Sequence, residues 1–353
     1  MSKKDTYLIT GGCGFIGSAV IRHLLKNNNN IVINIDKLSY ASNVDAVEAS
    51  EGESYIFIKD DIINKEKINE ILMNYSPDYI IHLAAESHVD RSIDNPLSFI
   101  ESNILGTFNL LNECYSYWKN LEKKSKDKFK FLFVSTDEVY GSTTDESFSE
   151  LSPLRPNSPY AASKASADLL ARSWFKTFNF PIMVSNCSNN YGKWQYPEKL
   201  IPLVIKKCIQ NEKIPIYGNG KQERDWIHVV DHVDGLLSIL DKGLSGQKYN
   251  IATSKEKSNL EVVEEICIIM DDLKPNSSNS YSELISFVKD RPGHDFRYSI
   301  NTDKILNELG WRPTTNFSDG LRETVIWYLN NQDWLFDPDK ISYNGDRLGH
   351  LTE

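Results

Sequence analysis

The feature that most constrains the fold is a glycine-rich turn directly after the first apolar segment of the chain. Residues 7–10 form a short apolar run typical of a buried strand, and residues 10–18 follow with the sequence TGGCGFIGS. Gly11, Gly14 and Gly17 repeat in a G-x-x-G-x-x-G pattern that opens into a segment with helical spacing. Glycines let backbone N–H groups approach a pyrophosphate, and a helix N-terminus supplies partial positive charge. This order of strand, turn and helix predicts the first unit of a dinucleotide-binding fold.

Short apolar runs alternate with longer segments of helical spacing through the first half of the chain. The runs at residues 7–10, 31–35, 55–58, 79–83, 131–135 and 182–184 indicate strands, and the segments 16–25, 62–73, 99–117 and 161–178 indicate helices. This alternation predicts an α/β fold, a Rossmann-type doubly wound parallel sheet with helices on both faces. Right-handed crossovers then bring the C-terminal ends of the strands to one edge, where ligands bind.

A second, smaller domain is expected beyond Tyr191, where this alternation fades. The predicted dinucleotide-binding domain covers residues 1–190, and a segment near 227–257 is expected to return to it. Residues 191–330 are predicted to form mainly an α/β substrate-binding domain, followed by a C-terminal tail over 331–353. The lysine-rich stretch 120–130 and the Ser/Asn-rich stretch 274–280 are predicted surface loops.

Composition limits the function classes. The 353 residues carry a formal net charge of −10, which argues against a nucleic-acid or anionic-membrane partner. No apolar run approaches the roughly 20 residues of a membrane-spanning helix, and the short polar start lacks a signal-peptide pattern, so we expect a cytoplasmic protein. The five cysteines show no C-x-x-C pairing and the histidines no metal motif, which indicates reduced thiols and no metal site.

The residues expected to bind the dinucleotide follow the first four predicted strands. Asp36 ends the second strand, where a carboxylate accepts hydrogen bonds from the adenosine ribose hydroxyls and repels a 2′-phosphate, which favours NAD over NADP. The neighbouring Lys37 leaves that choice open. The predicted set is Gly11, Gly14, Phe15, Ile16, Gly17, Asp36, Lys37, Asp61, Ile62, Leu83, Ala84 and Ala85. For the last five residues of this set, plain packing is the alternative.

Tyr160 and Lys164 form a Y-x-x-x-K pair at the start of a long predicted helix, where residues i and i+4 share a face. A phenol titrates near 10, so a tyrosine base at neutral pH needs a neighbouring ammonium to stabilise its phenolate. Lys164 can supply that charge. Such a pair is common on surface helices, but the dinucleotide turn upstream favours a catalytic role.

The fifth predicted strand runs into residues 135–141, STDEVYG, which puts the Thr136 hydroxyl and the adjacent carboxylates of Asp137 and Glu138 at the ligand edge. A solvated acidic turn is the alternative. Once NAD has oxidised a sugar hydroxyl to a ketone, a carboxylate can remove the proton from the neighbouring carbon. A second group must then protonate the hydroxyl that leaves. Environments can push two carboxyl pKa values apart, which suits a division of these roles between Asp137 and Glu138.

Together these residues resemble the extended short-chain dehydrogenase/reductase superfamily, and specifically its dTDP-glucose 4,6-dehydratases of deoxysugar biosynthesis, over about residues 6–329. Beyond the glycine turn and the tyrosine–lysine pair, the resemblance rests on residues 83–92 (LAAESHVDRS), 135–141 (STDEVYG), 186–192 (NCSNNYG) and 197–202 (PEKLIP). Residues 215–218 (PIYG), 222–226 (QERDW), 259–260 (NL) and 290–295 (DRPGHD) look like substrate-lining segments of that family.

The resemblance implies a mechanism. Tyr160 would deprotonate the sugar C4 hydroxyl as hydride moves to NAD, Lys164 would hold the nicotinamide ribose, and Thr136 would orient the sugar. Glu138 would remove the C5 proton, Asp137 would protonate the departing C6 hydroxyl, and hydride would return to C6. The product would be a 4-keto-6-deoxy sugar, so the enzyme would be an NAD-dependent hydro-lyase of deoxysugar (dTDP-rhamnose type) biosynthesis that keeps NAD bound.

The resemblance also implies further binding residues and a homodimer. Asn103 and Asn190 would contact the cofactor. Contacts to the nucleotide sugar would come from Ser87, Thr136, Asn189, Lys199, Leu200, Pro215, Tyr217, Arg224, Asn259, Arg291 and His294. Among these, Lys199, Arg224, Arg291 and His294 would bind the diphosphate, since basic groups bind phosphate oxygens. The family is usually dimeric, and the predicted helices 99–117 and 161–178 are long enough to contribute to the interface.

Three other functions stay open at this point. A sugar-nucleotide 4-epimerase or decarboxylase would share the first oxidation but does not need Asp137 and Glu138. A 4,6-dehydratase of UDP-, CDP- or GDP-sugars would differ only in how its base pocket recognises the nucleotide, and a catalytically silent NAD-binding regulator would have lost the chemistry. Departures from the family pattern at His228, Val230 and Ala161 concern the shape of the nucleotide pocket and remove no catalytic group.

Overall fold

A computed structural model describes residues 4–48, 52–276, 279–341, 343 and 348. Its strands are β1 (Asp5–Thr10), β2 (Asn30–Asp36), β3 (Tyr55–Lys59), β4 (Tyr79–His82), β5 (Lys130–Thr136), β6 (Ile182–Cys187), β7 (Asn189–Tyr191), β8 (Ile214–Tyr217), β9 (Glu223–His228), β10 (Lys248–Ile251), β11 (Glu256–Ser258) and β12 (Ile285–Val288).

The helices include every helix that the sequence predicts, with altered bounds. They are α1 (Phe15–Leu24), α2 (Asp45–Glu48), α3 (Lys65–Tyr75), α4 (Val89–Asp94), α5 (Pro96–Phe99), α6 (Gly106–Lys119), α7 (Lys123–Lys128), α8 (Pro159–Phe178), α9 (Leu200–Gln210), α10 (Val229–Lys242), α11 (Asn259–Leu273), α12 (Asp303–Leu309), α13 (Phe317–Asn330) and α14 (Gln332–Leu335). A π-helical segment, Ile100–Leu105, joins α5 to α6, and 3₁₀ turns lie at Asp137–Tyr140 and Tyr281–Leu284.

The main sheet has seven parallel strands in the order β10-β6-β5-β4-β1-β2-β3. The chain builds outward from β1 to β3, returns to the other side of β1 with β4, and continues outward to β10. This is a doubly wound order, and the crevice between β1 and β4 is its switch point. The predicted Rossmann-type α/β fold is confirmed.

Helices cover both faces of the main sheet, and each face has its own apolar core. On one face α1, α10 and α12 pack through residues such as Ile21, Leu236 and Ile305. On the other face α3, α6 and α8 pack through residues such as Leu72 and Leu111. Apart from the edge strand β3, the strands are largely buried from both sides, which explains why their sequences are continuous apolar runs rather than alternating ones.

Two smaller sheets accompany a third apolar core. In the three-stranded sheet, β9 pairs in parallel with β7 and antiparallel with β11, while β8 and β12 form a parallel pair. The third core gathers apolar side chains of α9, α11, α13 and α14, including Trp334 and Leu335 within the predicted tail 331–353. Residues 342, 344–347 and 349–353 of that tail lie outside the described residues. The domain boundaries stay a prediction.

Three sequence predictions of local structure need correction. The predicted helix 62–73 begins only at Lys65, because the side chain of Asn64 caps it by accepting a hydrogen bond from Lys67 N. The predicted helix 99–117 is interrupted by the π-helical segment. The predicted loop 120–130 contains α7, a short helix without a buried residue, whose sequence carries no apolar periodicity. Of the predicted loop 274–280, residues 277 and 278 lie outside the described residues, and the others belong to no helix or strand.

Candidate active site

A cavity of about 280 Å³ lies where strands β1, β2, β4, β5 and β6 end. It brings together nearly all of the predicted cofactor and catalytic residues. The predicted residues in its lining are Gly11, Gly14, Phe15, Ile16, Gly17, Asp36, Lys37, Asp61, Ile62, Leu83, Ala84, Ala85, Ser87, Thr136, Asp137, Glu138, Tyr160, Lys164, Asn189, Asn190 and Lys199. The edge of the sheet expected to hold the chemistry therefore does hold these side chains.

The glycine turn packs so closely against its surroundings that side chains are excluded. Gly11 has a φ of 72°, and a Cβ atom there would lie 2.6 Å from backbone atoms of Ala84, which follows β4. A Cβ atom on Gly17 would lie 2.2 Å from the Gly11 carbonyl oxygen. Helix α1 starts after Gly14, which has no side chain to cap it. Backbone N–H groups at this helix N-terminus can therefore meet a pyrophosphate at close range.

Asp36 connects the end of β2 to the glycine turn. Its carboxylate accepts hydrogen bonds from the backbone N–H of Cys13 at 2.9 Å and of Leu38 at 2.8 Å, and from the Ser42 hydroxyl at 3.0 Å. A carboxylate has about four acceptor positions, so ribose hydroxyls can still be bound. These contacts fix the side chain at the rim of the cavity, where it can select the dinucleotide.

Two carboxylates lie close to the ammonium group of Lys37, which lines the cavity. Its Nζ atom lies 3.7 Å from Asp61 Oδ2 and 3.5 Å from Glu86 Oε1. Because these two acidic groups offset the ammonium charge, the local field near Asp36 stays unfavourable to a 2′-phosphate. The structure therefore favours NAD over NADP, a choice that Lys37 leaves open in the sequence.

Tyr160 and Lys164 lie on the buried face of α8. Lys164 Nζ donates a hydrogen bond to the Val134 carbonyl of β5 at 2.7 Å, and burial lowers the pKa of this lysine to about 8. Burial, and then the charge of Glu138, raise the pKa of the Tyr160 phenol well above its usual value. The neutral phenol is therefore favoured, and conversion of Tyr160 to a base requires a cation beside it.

Asp137 is the most deeply buried ionisable group in the cavity lining at the end of β5, with 2 % of its surface exposed. Its Oδ1 atom accepts a hydrogen bond from the Thr136 hydroxyl at 3.3 Å, whereas its buried Oδ2 atom has no hydrogen-bond partner among the described residues. Burial, followed by the charge of Glu138, raises the pKa of Asp137 well above its usual value. Its surroundings thus favour the protonated form of Asp137, which can donate a proton.

Glu138 has the same kind of side chain in a different electrostatic setting. It is half-buried, and the Tyr298 hydroxyl lies 3.4 Å from its Oε2 atom. Burial raises the pKa of Glu138, but the positive charges of Arg291, Arg224 and Lys199 oppose that rise. Glu138 is therefore the member of the pair that ionises more readily, and so the one suited to accept a proton.

The four basic residues predicted to bind a diphosphate all contact protein groups. Lys199 Nζ donates to the Ser87 carbonyl at 2.8 Å, and Arg291 pairs with Asp90 at 2.8 Å. The buried Arg224 donates to three backbone carbonyls, those of residues 223, 295 and 296, at 2.7–3.1 Å. His294 Nδ1 lies 2.6 Å from an Asp290 oxygen, and burial lowers the pKa of His294 to about 4.

Eight predicted residues lie outside the lining of this cavity: Asn103, Leu200, Pro215, Tyr217, Arg224, Asn259, Arg291 and His294. Asn103 is buried in the π-helical segment, where its amide donates to the Glu86 carbonyl at 3.0 Å and to Ser163 Oγ at 2.9 Å. Tyr217 donates to Asp90, the carboxylate that also binds Arg291, at 3.1 Å. Their placement leaves their predicted binding roles as proposals.

The sequence reasoning missed one acidic side chain in the lining of the same cavity, that of Glu198. Glu198 accepts hydrogen bonds from the Tyr40 hydroxyl at 2.6 Å and from Arg91 Nε at 2.8 Å. The Arg91 guanidinium also lies 3.8 Å from the Tyr40 ring centroid. Glu198 precedes Lys199 in the PEKLIP segment, which is the one sequence signal that pointed near it.

The described part of the chain contains neither a metal-binding cluster nor a membrane-spanning helix. There, no group of three or more His, Cys, Asp or Glu side chains is arranged to hold a metal ion. Within the same ranges, no helix has both the length and the apolar character needed to cross a bilayer.

Comparison with known proteins identifies relatives along nearly the whole chain. The family model described as GDP-mannose 4,6 dehydratase matches residues 8–324. A dTDP-glucose 4,6-dehydratase of Neisseria meningitidis serogroup B is 47% identical over 348 residues, covering 97% of this chain and 98% of the relative.

Two solved structures with different activities have a fold similar to that of this chain. The structure of DesIV, a dTDP-glucose 4,6-dehydratase of Streptomyces venezuelae with NAD and TYD bound, is 39% identical, with a TM-score of 0.86 and coverage of 94% of this chain and 99% of that one. A UDP-glucose 4-epimerase of Thermotoga maritima, solved with UDP-glucose, is 25% identical, with a TM-score of 0.81 and coverage of 93% and 99%. Chain shape alone therefore does not separate these two activities.

Asp36→Asn is expected to weaken NAD binding about tenfold, because a charged acceptor for the ribose hydroxyls is lost. NADP should lose less affinity, since the repulsion of its 2′-phosphate disappears. Calorimetric titration of both dinucleotides into protein stripped of cofactor measures the ratio of their dissociation constants. Asp127→Asn, in the exposed α7, removes the same charge and should leave the ratio unchanged. An unaltered ratio in the Asp36 variant would contradict the assignment.

Proposed function

The chain belongs to the GDP-mannose 4,6 dehydratase family, and from that premise we propose that it converts dTDP-glucose to dTDP-4-keto-6-deoxyglucose and water. On this proposal, the protein is an NAD-dependent hydro-lyase of deoxysugar biosynthesis. The resemblance to dTDP-glucose 4,6-dehydratases inferred from the sequence motifs is confirmed by relatives that match nearly the full length of the chain.

One feature carries the assignment to a dehydratase: two adjacent carboxyl groups lie in the same cavity but in different electrostatic surroundings. Removal of water across C5 and C6 needs a base for the C5 proton and an acid for the leaving hydroxyl at the same time. Burial and the charge of Glu138 favour the protonated form of Asp137, while three basic side chains oppose the rise that burial causes in the pKa of Glu138. We assign the acid to Asp137 and the base to Glu138.

The first step is assigned to the pair on α8. Tyr160 takes the proton of the C4 hydroxyl, and the Lys164 ammonium stabilises the phenolate that the buried site otherwise disfavours. Thr136, at the end of β5, is placed in the cavity lining with a hydroxyl that can orient the sugar. When bound, NAD supplies the hydride acceptor for C4 and the hydride donor for C6.

The residues present fit an NAD molecule. The glycine turn excludes side chains where a pyrophosphate would approach, and Asp36 is fixed where the adenosine ribose would lie. Asn103, Asn190 and the segments 61–62 and 83–85 complete the proposed cofactor site. The nucleotide sugar is proposed to contact Ser87, Asn189, Lys199, Leu200, Pro215, Tyr217, Arg224, Asn259, Arg291 and His294.

The carboxyl pair also weighs against two alternatives. A 4-epimerase uses the tyrosine, lysine and NAD but has no need of an acid and a base beside C5 and C6, although its shape is similar. A silent NAD-binding protein would not need Thr136, Asp137, Glu138, Tyr160 and Lys164 together in one cavity. Among nucleotides, dTDP is favoured by the printed names of the relatives rather than by a contact in this chain.

We further propose a homodimer that covers an apolar face of the segment from α5 to α6 and of α8. Large apolar side chains exposed there are Leu97, Ile100, Leu105, Phe108, Leu169 and Phe178. Exposed apolar patches of this kind mark protein interfaces. Light scattering should give about twice the chain mass, and Leu105→Asp should halve the measured mass. A monomeric wild-type protein would contradict the proposal.

A cytoplasmic location is also proposed, because all five cysteines are free and buried.

Incubation of the purified protein, without added cofactor, with dTDP-glucose, UDP-glucose and GDP-mannose tests the function and the nucleotide choice together. We expect the mass of one water to be lost from dTDP-glucose alone, with the alkaline absorbance of a 4-keto sugar. An unchanged mass with inverted C4 configuration would instead establish an epimerase. No reaction even with added NAD would contradict both activities.

Glu138→Gln and Asp137→Asn are a matched pair that separates the two roles. Glu138→Gln should keep NAD and substrate bound but stop solvent deuterium from entering C5, since the base is lost. Asp137→Asn should retain exchange at C5, whereas its rate of water elimination should fall by a factor of about 10² to 10⁴. Mass spectrometry and NMR of the sugar in D₂O measure both. Continued exchange at C5 in Glu138→Gln would refute its role as the base.

A further inference from the structure

A second cavity, of about 430 Å³, lies apart from the active site. Its wall includes one face of α1, at Ala19, Arg22 and His23, and continues to Lys26 just beyond that helix. Lys193, His228 and the start of α10 form another side, and residues 323, 324 and 327 of α13 close it. None of the residues that line this cavity lines the active-site cavity.

The cavity concentrates positive charge in a chain whose net charge is −10. Arg22, Lys26 and Lys193 line it, against a single lining carboxylate, that of Glu323. Neither Lys26 nor Lys193 has a carboxylate within 4.0 Å among the described residues, whereas His23 pairs with Asp234 at 3.4 Å. The charges of Arg22 and Lys26 add to burial in lowering the pKa of Lys193, although Glu323 opposes them. These cations therefore repel one another.

Two of the polar groups are already positioned. Arg22 donates one N–H to the Ala46 carbonyl at 2.6 Å, which holds the guanidinium at the cavity and leaves its other donors for a ligand. The buried Nδ1 atom of His228 has no hydrogen-bond partner among the described residues, and its ring is held edge-on to Tyr191 at 5.3 Å between centroids. Burial lowers the pKa of His228, so this nitrogen offers a neutral hydrogen-bonding group.

A solvated basic surface is the alternative, and two features weigh against it. Arg22 lies at the C-terminal end of α1 with Lys26 just beyond it, and Lys193 comes from a distant part of the chain, so the three cations meet in a concavity rather than along one exposed helix face. The lining also contains Trp327, whose ring contacts the Trp194 ring at 4.6 Å between centroids and is thereby fixed. A flat aromatic wall beside a cluster of cations suits a ligand that has phosphate groups and a ring.

We propose that this cavity is a second binding site, which takes a phosphate-bearing ligand up to the size of a nucleotide. Arg22, Lys26 and Lys193 bind the phosphate oxygens, and His228 contributes a hydrogen bond. Free pyrophosphate and a nucleotide share this chemistry. They differ in whether a base also contacts Trp327, so the test uses both.

Calorimetric titration of the NAD-loaded enzyme with inorganic pyrophosphate, and separately with ATP, tests the proposal. We expect one or both to bind with a dissociation constant of about 1 mM or lower. The double variant Lys26→Gln/Lys193→Gln should weaken that binding at least tenfold, because two charge-assisted contacts are lost. Tighter binding of ATP that is reduced in Trp327→Leu identifies a nucleotide site, and equal binding identifies a phosphate site.

The matched control is Lys123→Gln/Lys124→Gln, which makes the same change of net charge on the exposed α7. It should bind both probes as the wild type does. Both double variants should keep the wild-type melting temperature and their activity on dTDP-glucose, since neither touches the active-site cavity. Binding that is equal in wild type and Lys26→Gln/Lys193→Gln would place the probes at the active site and overturn the proposal. Absence of binding would also overturn it.

Discussion

Seven parallel strands that end at one edge are the constraint on which the rest of this structure depends. Because every strand of the main sheet runs in the same direction, side chains from distant parts of the chain meet at that edge. The glycine turn after β1, Asp36 at the end of β2 and Thr136 at the end of β5 share one cavity for this reason. Lys199 at the start of α9, Arg224 on β9 and Arg291 after β12 then add the positive charges that act on Glu138.

Two adjacent carboxyl groups differ in proton affinity because their surroundings differ. Asp137 has lost nearly all contact with solvent, and one of its oxygens lacks a hydrogen-bond partner among the described residues, so the neutral form is favoured. Burial also raises the pKa of Glu138, one residue later, but the positive charges of Arg291, Arg224 and Lys199 oppose that rise. The same basic residues that are proposed to bind a diphosphate therefore also prepare the base. On this proposal, substrate recognition and acid–base chemistry are coupled through electrostatics rather than through a shared hydrogen bond.

Much of the fold and of the site follows from local sequence patterns. Continuous apolar runs predicted the buried parallel strands, and the glycine turn, Asp36 and the residues that follow β4 and β5 lie in the cavity as expected. Features that depend on distant partners were not predictable in this way. Glu198 binds Tyr40 and Arg91, which are 158 and 107 residues away in the chain. The charge balance at Lys37 likewise depends on Glu86, and no motif signals that pairing.

The central claim is that Asp137 is protonated and Glu138 ionised in the same enzyme at neutral pH. Infrared difference spectra of the NAD-loaded wild type against Asp137→Asn and against Glu138→Gln measure this directly, because protonated and ionised carboxyl groups absorb at different frequencies. The account predicts loss of a protonated carboxyl band in the Asp137 variant and loss of a carboxylate band in the Glu138 variant. Two carboxylate bands, or the reverse assignment, would contradict it.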